Sequence, residues 1–501
     1  NTKHQNNGIL CPTISGHITK PTNCDASSLG GLQFRWQGQP TEHPLDLHPK
    51  NAPIYSAQIL AYMERGLGLE VCFLYSFAIQ LHRPVPSSLG LKFRFEHFSV
   101  GFYLACRLVD MFIPTRVAAL TRLENFLPRA GHEYTQMRNF TETSDEGTTV
   151  SELSPWIRVR LLTEWEVLQR VTDAQGTSNA SKYIDEVCWR TYWKGWLEMR
   201  PRVWADYLRQ RKALLNDFSG NHTYNDTIAA RTGITFLDTL TEDLIRTGYL
   251  HNHYRMWYAS IWIHTLKLPW ELGADWFFRH LLDGDPASNT LSWRWVAGLH
   301  TKGKAYLASA ENINHYTAGR FAVGEINLAS EPISVGSIHH PPRQELRKQT
   351  DEAPSNALPI LVTDEDVRST TWLGKGRTNK TLAGFFPLRA YRDLEVTQQV
   401  IDFRRACIQD SVEGPVFTEL DDLLDWLVEN SLDGVSMAIP AVGLWDVILP
   451  ELEHKLTALN MRLELKRHWW DAQLFPQASH GFFRFKKAIP DALQSITDHH
   501  H

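Results

Sequence analysis

The sequence predicts a multidomain chain of α and α/β parts: an all-helical unit over 111–325, a linker over 326–357, and a C-terminal α/β unit over 358–495. Three observations predict it. From Met111 to Phe321 apolar residues recur at helical spacing, punctuated by caps and proline stops. From Phe321 to Asn356 the text turns rich in Pro, Ser, His and Gln, as linkers do. Beyond it, short apolar runs that end in polar loops alternate with helical stretches, the pattern of a parallel sheet. At 501 residues, 43% hydrophobic and 21% charged, the chain can bury more than one core.

Residues 1–110 read as an N-terminal extension of unknown role. The first fifty, rich in Asn, Thr, Gly, Pro and His, read as loop or disorder, and YSAQILAYMERGLGLEVCFLYSFAIQLH as a helical hairpin. In PTRVAALTRLENFLPRAGHEY, Val117, Leu120 and Leu123 mark a helix that stops at Pro–Arg–Ala–Gly. SELSPWIRVRLLTEWEVLQRV opens on a Ser–Pro start. SKYIDEVCWRTYWKGWLEMRPRVWADYLRQRK follows, then FLDTLTEDLIRTG, ending at Gly248, then two further helices. In the last part LPILVTDEDV, GVSMAIP and MRLELKRH read as strands, with helices in DLEVTQQVIDFRRACI and DVILPELEHKLTALN.

Several function classes are excluded. The six Cys form no CxxC pair and no HExxH occurs, so no metal site is written here. GxGxxG and GxxxxGK[ST] are absent too. The best membrane candidate, Phe98 to Leu120, contains Arg107, Asp110, Pro114 and Arg116 and should not span. No secretory signal is read at the start, and the closing DHHH reads as a truncated tag. The expectation is a cytoplasmic monomer.

One stretch, Arg246 to Gly298, is densest in chemistry. It gathers Asn252, Arg255, Met256, Asp283, Asp285, Asn289, Trp293 and Trp295 among helix formers and aromatics. Carboxylates and amides beside indoles suit a buried, planar, redox-active ring. Upstream, Ser151 and Ser154 stand at a helix start, where N–H groups and hydroxyls can seat a diphosphate. Glu186 and Trp189 are three residues apart on one helix face. From Glu186 to Lys212 seven cations meet three anions, with Trp189, Trp193, Trp196 and Trp204 interleaved. That mixture suits a grip on a DNA backbone, and a solvated face over core indoles stays equally open. Each signal alone is an ordinary cap, turn or amphipathic helix; their conjunction carries the weight.

Together these residues resemble the photolyase and cryptochrome family, most strongly over 118–325. The resemblance implies FAD bound by Tyr134, Ser151, Ser154, Arg255, Asp283, Asp285 and Asn289, with Asn289 at N5 and Arg255 paired to Asp283. It departs from the family's TSxLSP turn at Val150. It implies damaged DNA as partner, with a pyrimidine dimer met by Glu186, Trp189, Asn252, Met256 and Trp295. Met256 leans toward cyclobutane dimers. Flipping costs little where stacking is already lost, and each stacked base adds about 1–3 kcal/mol. Trp293 and Trp270 match the inner and middle members of the family's electron-transfer chain. The outer one would fall near Asp217, where no Trp stands, leaving Trp257 or Trp276 as substitutes. The implied activity is blue-light DNA repair, splitting the dimer by electron transfer from reduced FAD, with Glu186, Trp270, Trp293 and Asn289 in catalytic roles. A cryptochrome-like photosensor without repair is the alternative, and a flavin-less relative a second. WWDAQLFPQASHGFFRFKKAIP resembles the end of the family's antenna domain, so the Rossmann-like, antenna-like unit is expected after the flavin unit, in permuted order. A second chromophore is left unassigned.

Overall fold

The computed structural model describes residues 112–141, 148–300, 304–321, 327–336, 340–350, 358–377 and 381–499. The expectations for 1–110 lie outside them. Helix α1 (Arg116–Phe126) is capped by Thr115, whose Oγ1 accepts from the Ala118 N–H at 3.3 Å. Leu123 points inward, but Val117 is 57% exposed; the buried stripe is Ala119, Leu123 and Phe126. A 3-10 turn over Leu127–Arg129 ends it near the predicted stop, and α2 (His132–Met137) follows.

The run beginning SELSP is two helices, not one: α3 (Ser154–Arg158) and α4 (Glu164–Gln175). Between them Arg160 takes a left-handed φ of 57°, and Thr163 caps α4 through the Glu166 N–H. Charge holds Arg160 there, because it pairs with Glu164 at 3.1 Å, Asp366 at 3.4 Å and Asp471 at 2.6 Å. The next run also divides, at Arg200–Pro201, into α5 (Ser181–Glu198) and α6 (Arg202–Asp217), since proline offers no N–H to continue the ladder. Next come α7 (His222–Ile228) and α8 (Thr235–Thr247), which is closed by Gly248 as expected. The motif-rich core holds three α-helices rather than two: α9 (Asn252–Ser260), continued by a π turn over Ile261–Thr265, then α10 (Trp270–His280) and α11 (Pro286–Val296). Pro269 and Pro286 impose the extra boundaries. A short α12 (Ala310–Tyr316) closes this part.

Among the described residues five strands follow: β1 (Ile360–Thr363), β2 (Leu382–Phe385), β3 (Val416–Phe417), β4 (Gly434–Ala438) and β5 (Arg462–Lys466). They pair in parallel in the order β3-β2-β1-β4-β5. The sequence marks β1, β4 and β5. It misses β2 and β3, whose four and two residues are too short for a period to register. Helices α13 (Thr370–Leu373), α14 (Leu388–Asp393), α15 (Gln398–Ser411), α16 (Leu420–Glu429) and α17 (Trp445–Ala458) connect the strands. After β5 come α18 (Trp469–Leu474), a 3-10 turn over Phe475–Ser479, α19 (Phe482–Phe485) and α20 (Ile489–His499).

Two of the contacts between the sheet region and the helical part lie close to the candidate site. In open parallel sheets the crevice beyond the strand C-termini, where the order reverses, is the usual ligand seat. Here Asp364, Glu365 and Asp366 follow β1 at that point, and the helical part answers them with cations. Arg158 and Lys194 reach Glu365 at 2.7 and 3.3 Å. The second contact is α5 against the 3-10 turn. An ideal Cβ at Gly195 would lie 2.9 Å from the Phe475 Cα, so only glycine permits the approach. The stretch expected as linker is pinned along 340–350: the Gln344 N–H donates to the Met199 carbonyl at 2.8 Å, and Arg347 donates to the Pro440 carbonyl at 2.9 Å.

Candidate functional site

The acids of the DGD turn anchor two connected clusters. Asp283, buried between α10 and α11, takes a two-pronged pair from Arg255 on α9, at 3.0 and 2.9 Å. Ser154, at the start of α3, also donates to it. Burial alone would raise the Asp283 carboxyl, but Arg255 and Ser154 outweigh burial and hold it below the usual range. The two signals read separately from SELSP and DGD therefore meet in space.

Asp285 caps α11, its Oδ1 accepting from the Ser288 N–H at 2.7 Å. Its Oδ2 has Arg158 Nε at 3.5 Å and Arg190 Nη1 at 4.0 Å. Burial pushes this carboxyl up, and Lys194, Arg158 and Arg190 push it further down, so it stays ionised. The Arg190 Nη1 and Asp285 Oδ2 are buried with no hydrogen-bond partner, as is the Ser288 Oγ. The first two atoms are held by charge but not by hydrogen bonds, so the cluster around the turn has hydrogen-bonding capacity left for a polar occupant. The carbonyls and N–H of an isoalloxazine's pyrimidine edge supply the complement, so these residues fit FAD. Asn289, one turn into α11, is nearly buried and donates to the Ala274 carbonyl at 2.7 Å. Sequence reasoning missed Arg158 and Lys194 here. Their partner Glu365 is far along the chain, and no local signal points to it.

The expected lesion contacts lie at more open positions. Asn252, on the first turn of α9, is exposed and its side-chain N–H lies 3.7 Å from the Met256 sulfur, one turn on. Trp295 is half-buried and stacks on Tyr306 at 5.7 Å. Glu186 is bound to two cations, Arg138 at 3.0 Å and Lys182 at 2.9 Å. Trp189 stacks face to face with Phe482 of α19, centroids 3.8 Å apart at 9°. Tyr134 is buried, edge-on to Tyr183 at 5.0 Å, and burial followed by Glu186 pushes its hydroxyl well up. Burial pushes the Tyr183 hydroxyl up to about 12, and nearby Ser151 offsets part of that.

The cations of 186–212 do not make one solvated face. Lys194 is buried on Glu365, Arg211 on Asp275, and Arg200 against Trp196 and the Ser479 carbonyl. Burial of helices on both sides of α5 and α6 explains this, and Arg202 and Arg209 stay exposed, at 66% and 71%.

Trp293 and Trp270 are both buried. Trp293 meets Trp262 edge-on at 6.1 Å and Phe277 at 5.1 Å. Trp270 meets Tyr207 at 5.8 Å, and Tyr207 meets Trp204 at 5.1 Å. Of the suggested substitutes, Trp257 packs on His253 and Trp276 on His280. A cleft of about 310 Å³ is lined by Trp270 together with Tyr207, Glu271 and Arg294, and by none of Asp283, Asp285 or Asn289. An ideal Cβ at Gly273 would sit 2.3 Å from Trp293 and 3.0 Å from Trp262. Gly273→Ala should therefore displace Trp293 and cost about 1–3 kcal/mol by overpacking. An unchanged urea midpoint would show that the indoles yield freely.

His251 caps α9, accepting from the His253 N–H at 3.1 Å. Burial, then His253 and Arg255, push its imidazole down to about 3. Unfolded, it would take a proton near pH 6.5. A depressed folded value means stability is intact above about pH 6.5 and is lost as pH falls from there toward 3. The melting temperature should fall over that window, and His251→Asn, which keeps a good cap, should flatten the slope. Equal slopes in both proteins would count against His251 as a source.

Among the described residues no helix is long and apolar enough to cross a membrane, and no cluster of three metal-ligating side chains occurs. Residues 183–320 match the family described as the FAD-binding domain of DNA photolyase. The deoxyribodipyrimidine photo-lyase of Streptomyces griseus is 30% identical over 168 residues, 33% of this chain and 36% of that protein. That of Vibrio cholerae is 27% identical over 191 residues, 37% and 40%. The Escherichia coli protein is 27% identical over 203 residues, 38% and 40%. The chain thus spans about two fifths of the length of these relatives. Among solved structures, a class III photolyase from Agrobacterium tumefaciens is 24% identical with TM-score 0.36, covering 43% of this chain and 45% of that one. A Synechocystis cryptochrome is 22% identical with TM-score 0.35, covering 40% and 43%. Asp283, Asp285, Arg255 and Asn289 all lie inside residues 183–320, the segment that is similar to the FAD-binding domain of DNA photolyase.

Proposed function

We propose that the chain is a light-driven DNA-repair flavoprotein that splits cyclobutane pyrimidine dimers. The observation that carries this reading is the pairing of Arg255 with Asp283 beside buried Asp285 and Arg190 atoms that make no hydrogen bond, all within the segment matched to a flavin-binding domain, with Ser154 joining them from outside it. On this reading 111–325 is the flavin unit, 326–357 the linker, and 358–495 a Rossmann-like, antenna-like unit in permuted order. Bound reduced FAD would supply a photoexcited electron to the lesion. The chain's share is to seat it: Tyr134, Ser151 and Ser154 toward the diphosphate, and Arg255, Asp283, Asp285 and Asn289 around the ring. Asn252, Met256, Trp189 and Trp295 would hold an extruded dinucleotide, and Trp293 and Trp270 would conduct electrons inward. Glu186 must leave Arg138 and Lys182 to meet a thymine carbonyl, or those cations meet it instead.

That double pairing, with Phe482 on the Trp189 face, favours the second reading, a cryptochrome-like photosensor. A repair assay on a dimer-containing oligonucleotide under blue light separates the two, since a sensor leaves the dimer intact. Under the repair reading, Glu186→Ala lowers turnover while flavin absorbance stays. Full turnover in that variant would remove Glu186 from the chemistry.

A further inference from the structure

The C-terminal tip over 480–487 is firmly anchored yet exposes an aromatic ring. Phe482 stacks on Trp189, Phe485 packs on Tyr192 at 5.5 Å, and the Tyr192 hydroxyl donates to the His480 carbonyl at 2.8 Å. Lys486 reaches Asp185 on α5 at 2.5 Å. Between these anchors Phe483 is 86% exposed, the most exposed large apolar side chain among the described residues. Its Cα is about 3.8 Å from that of Phe482, hence within one residue of the ring covering Trp189.

The surroundings are cationic. From Ala472 to Pro490 the sequence contains no Asp or Glu. Arg484 packs against the His480 ring at 3.3 Å, and Arg343, Arg484, Lys486 and Lys487 are exposed. Arg484, Arg343 and Arg200 together hold the His480 imidazole below its ordinary value, as converging cations do. An exposed aromatic beside Arg484 in the chain, with Arg343 brought near the same tip at His480, is complementary to stacked bases between phosphates. An apolar wedge of this kind enters a duplex where stacking is broken.

We propose that Phe483 is a stacking residue for a nucleobase left unpaired when a dinucleotide leaves the helix, with Arg343 and Arg484 on the flanking phosphates. The proposal rests on the reading that this chain handles damaged DNA, and extends its contact surface from the helical part to the C-terminal tip.

The test uses the full chain and two fluorescein-labelled duplexes, one carrying a cyclobutane dimer and one an undamaged two-base bubble. Phe483→Ala should weaken binding to both by about 5- to 100-fold, Phe483→Trp should restore it, and the melting temperature should not move. Arg343→Ala with Arg484→Ala should make affinity less salt-dependent. If wild type binds the bubble but shows no preference for the dimer, the repair reading fails, and the Phe483→Ala effect on the bubble still decides this proposal. Equal affinities of wild type and Phe483→Ala would overturn the proposal and leave the repair reading intact. A wild type that binds neither duplex would overturn both. A change of oligomeric state in Phe483→Ala without loss of DNA affinity would assign the ring to contact between copies, and overturn it too.

Discussion

Replacing Arg158 with leucine should cost about 3–5 kcal/mol of folding stability, because it strands two buried acids. The guanidinium is fully buried and lies 2.7 Å from Glu365 and 3.5 Å from Asp285, and its Nε donates to the Gly284 carbonyl at 3.2 Å. Burial would lower its proton affinity, yet Glu365 and Asp285 raise it, so it is a permanent cation. Lys194 and Arg190 would remain, at 3.3 Å from Glu365 and 4.0 Å from Asp285, too little for both acids. The sign of the pH effect follows. Without Arg158 the folded-state proton affinity of both carboxyls rises, so the variant is best tolerated at low pH and loses stability as pH increases. Urea titrations at two pH values would measure it. A double variant, Arg158→Leu with Glu365→Leu, should recover much of the loss, since one stranded charge is gone. A single variant as stable as wild type would mean that water reaches this cluster.

Arg255→Ala should empty the proposed flavin seat. It removes both prongs of the Asp283 fork and leaves that carboxylate, 3% exposed in its side chain, with Ser154 and the longer-range charge of Arg190. Bound flavin per chain after purification should fall by more than about tenfold, corresponding to about 1.4 kcal/mol or more of lost binding. Arg255→Lys keeps the charge but not the planar fork, and should fall between the two. Met256→Ala, at the adjacent position, should keep its flavin, which separates a local from a global effect. Normal flavin content in Arg255→Ala would place the ring elsewhere.

The helical part was legible where period and caps agree locally. Thr247 and Gly248 close α8 as read, and the Arg246–Gly298 motifs fall on α9 to α11 and the DGD turn. Misreadings came where distant charges decide the backbone. The break at Arg160 exists because Asp366 and Asp471, from the sheet region, hold its side chain. A basic face was expected along 186–212, but tertiary packing turns Lys194 and Arg211 inward onto Glu365 and Asp275.

By itself the sequence determined which residues are available for chemistry: an acid pair in the DGD turn, an Arg one turn after His251, and indoles at fixed helical offsets. Those depend on neighbours a few residues away, so period and turn chemistry expose them. Only the tertiary structure decided that Ser154 meets Asp283, that Arg158 bridges Asp285 to Glu365, and that Phe482 covers Trp189. Each joins groups more than a hundred residues apart. Such contacts follow from how whole helices pack against the sheet region, and no local pattern encodes them.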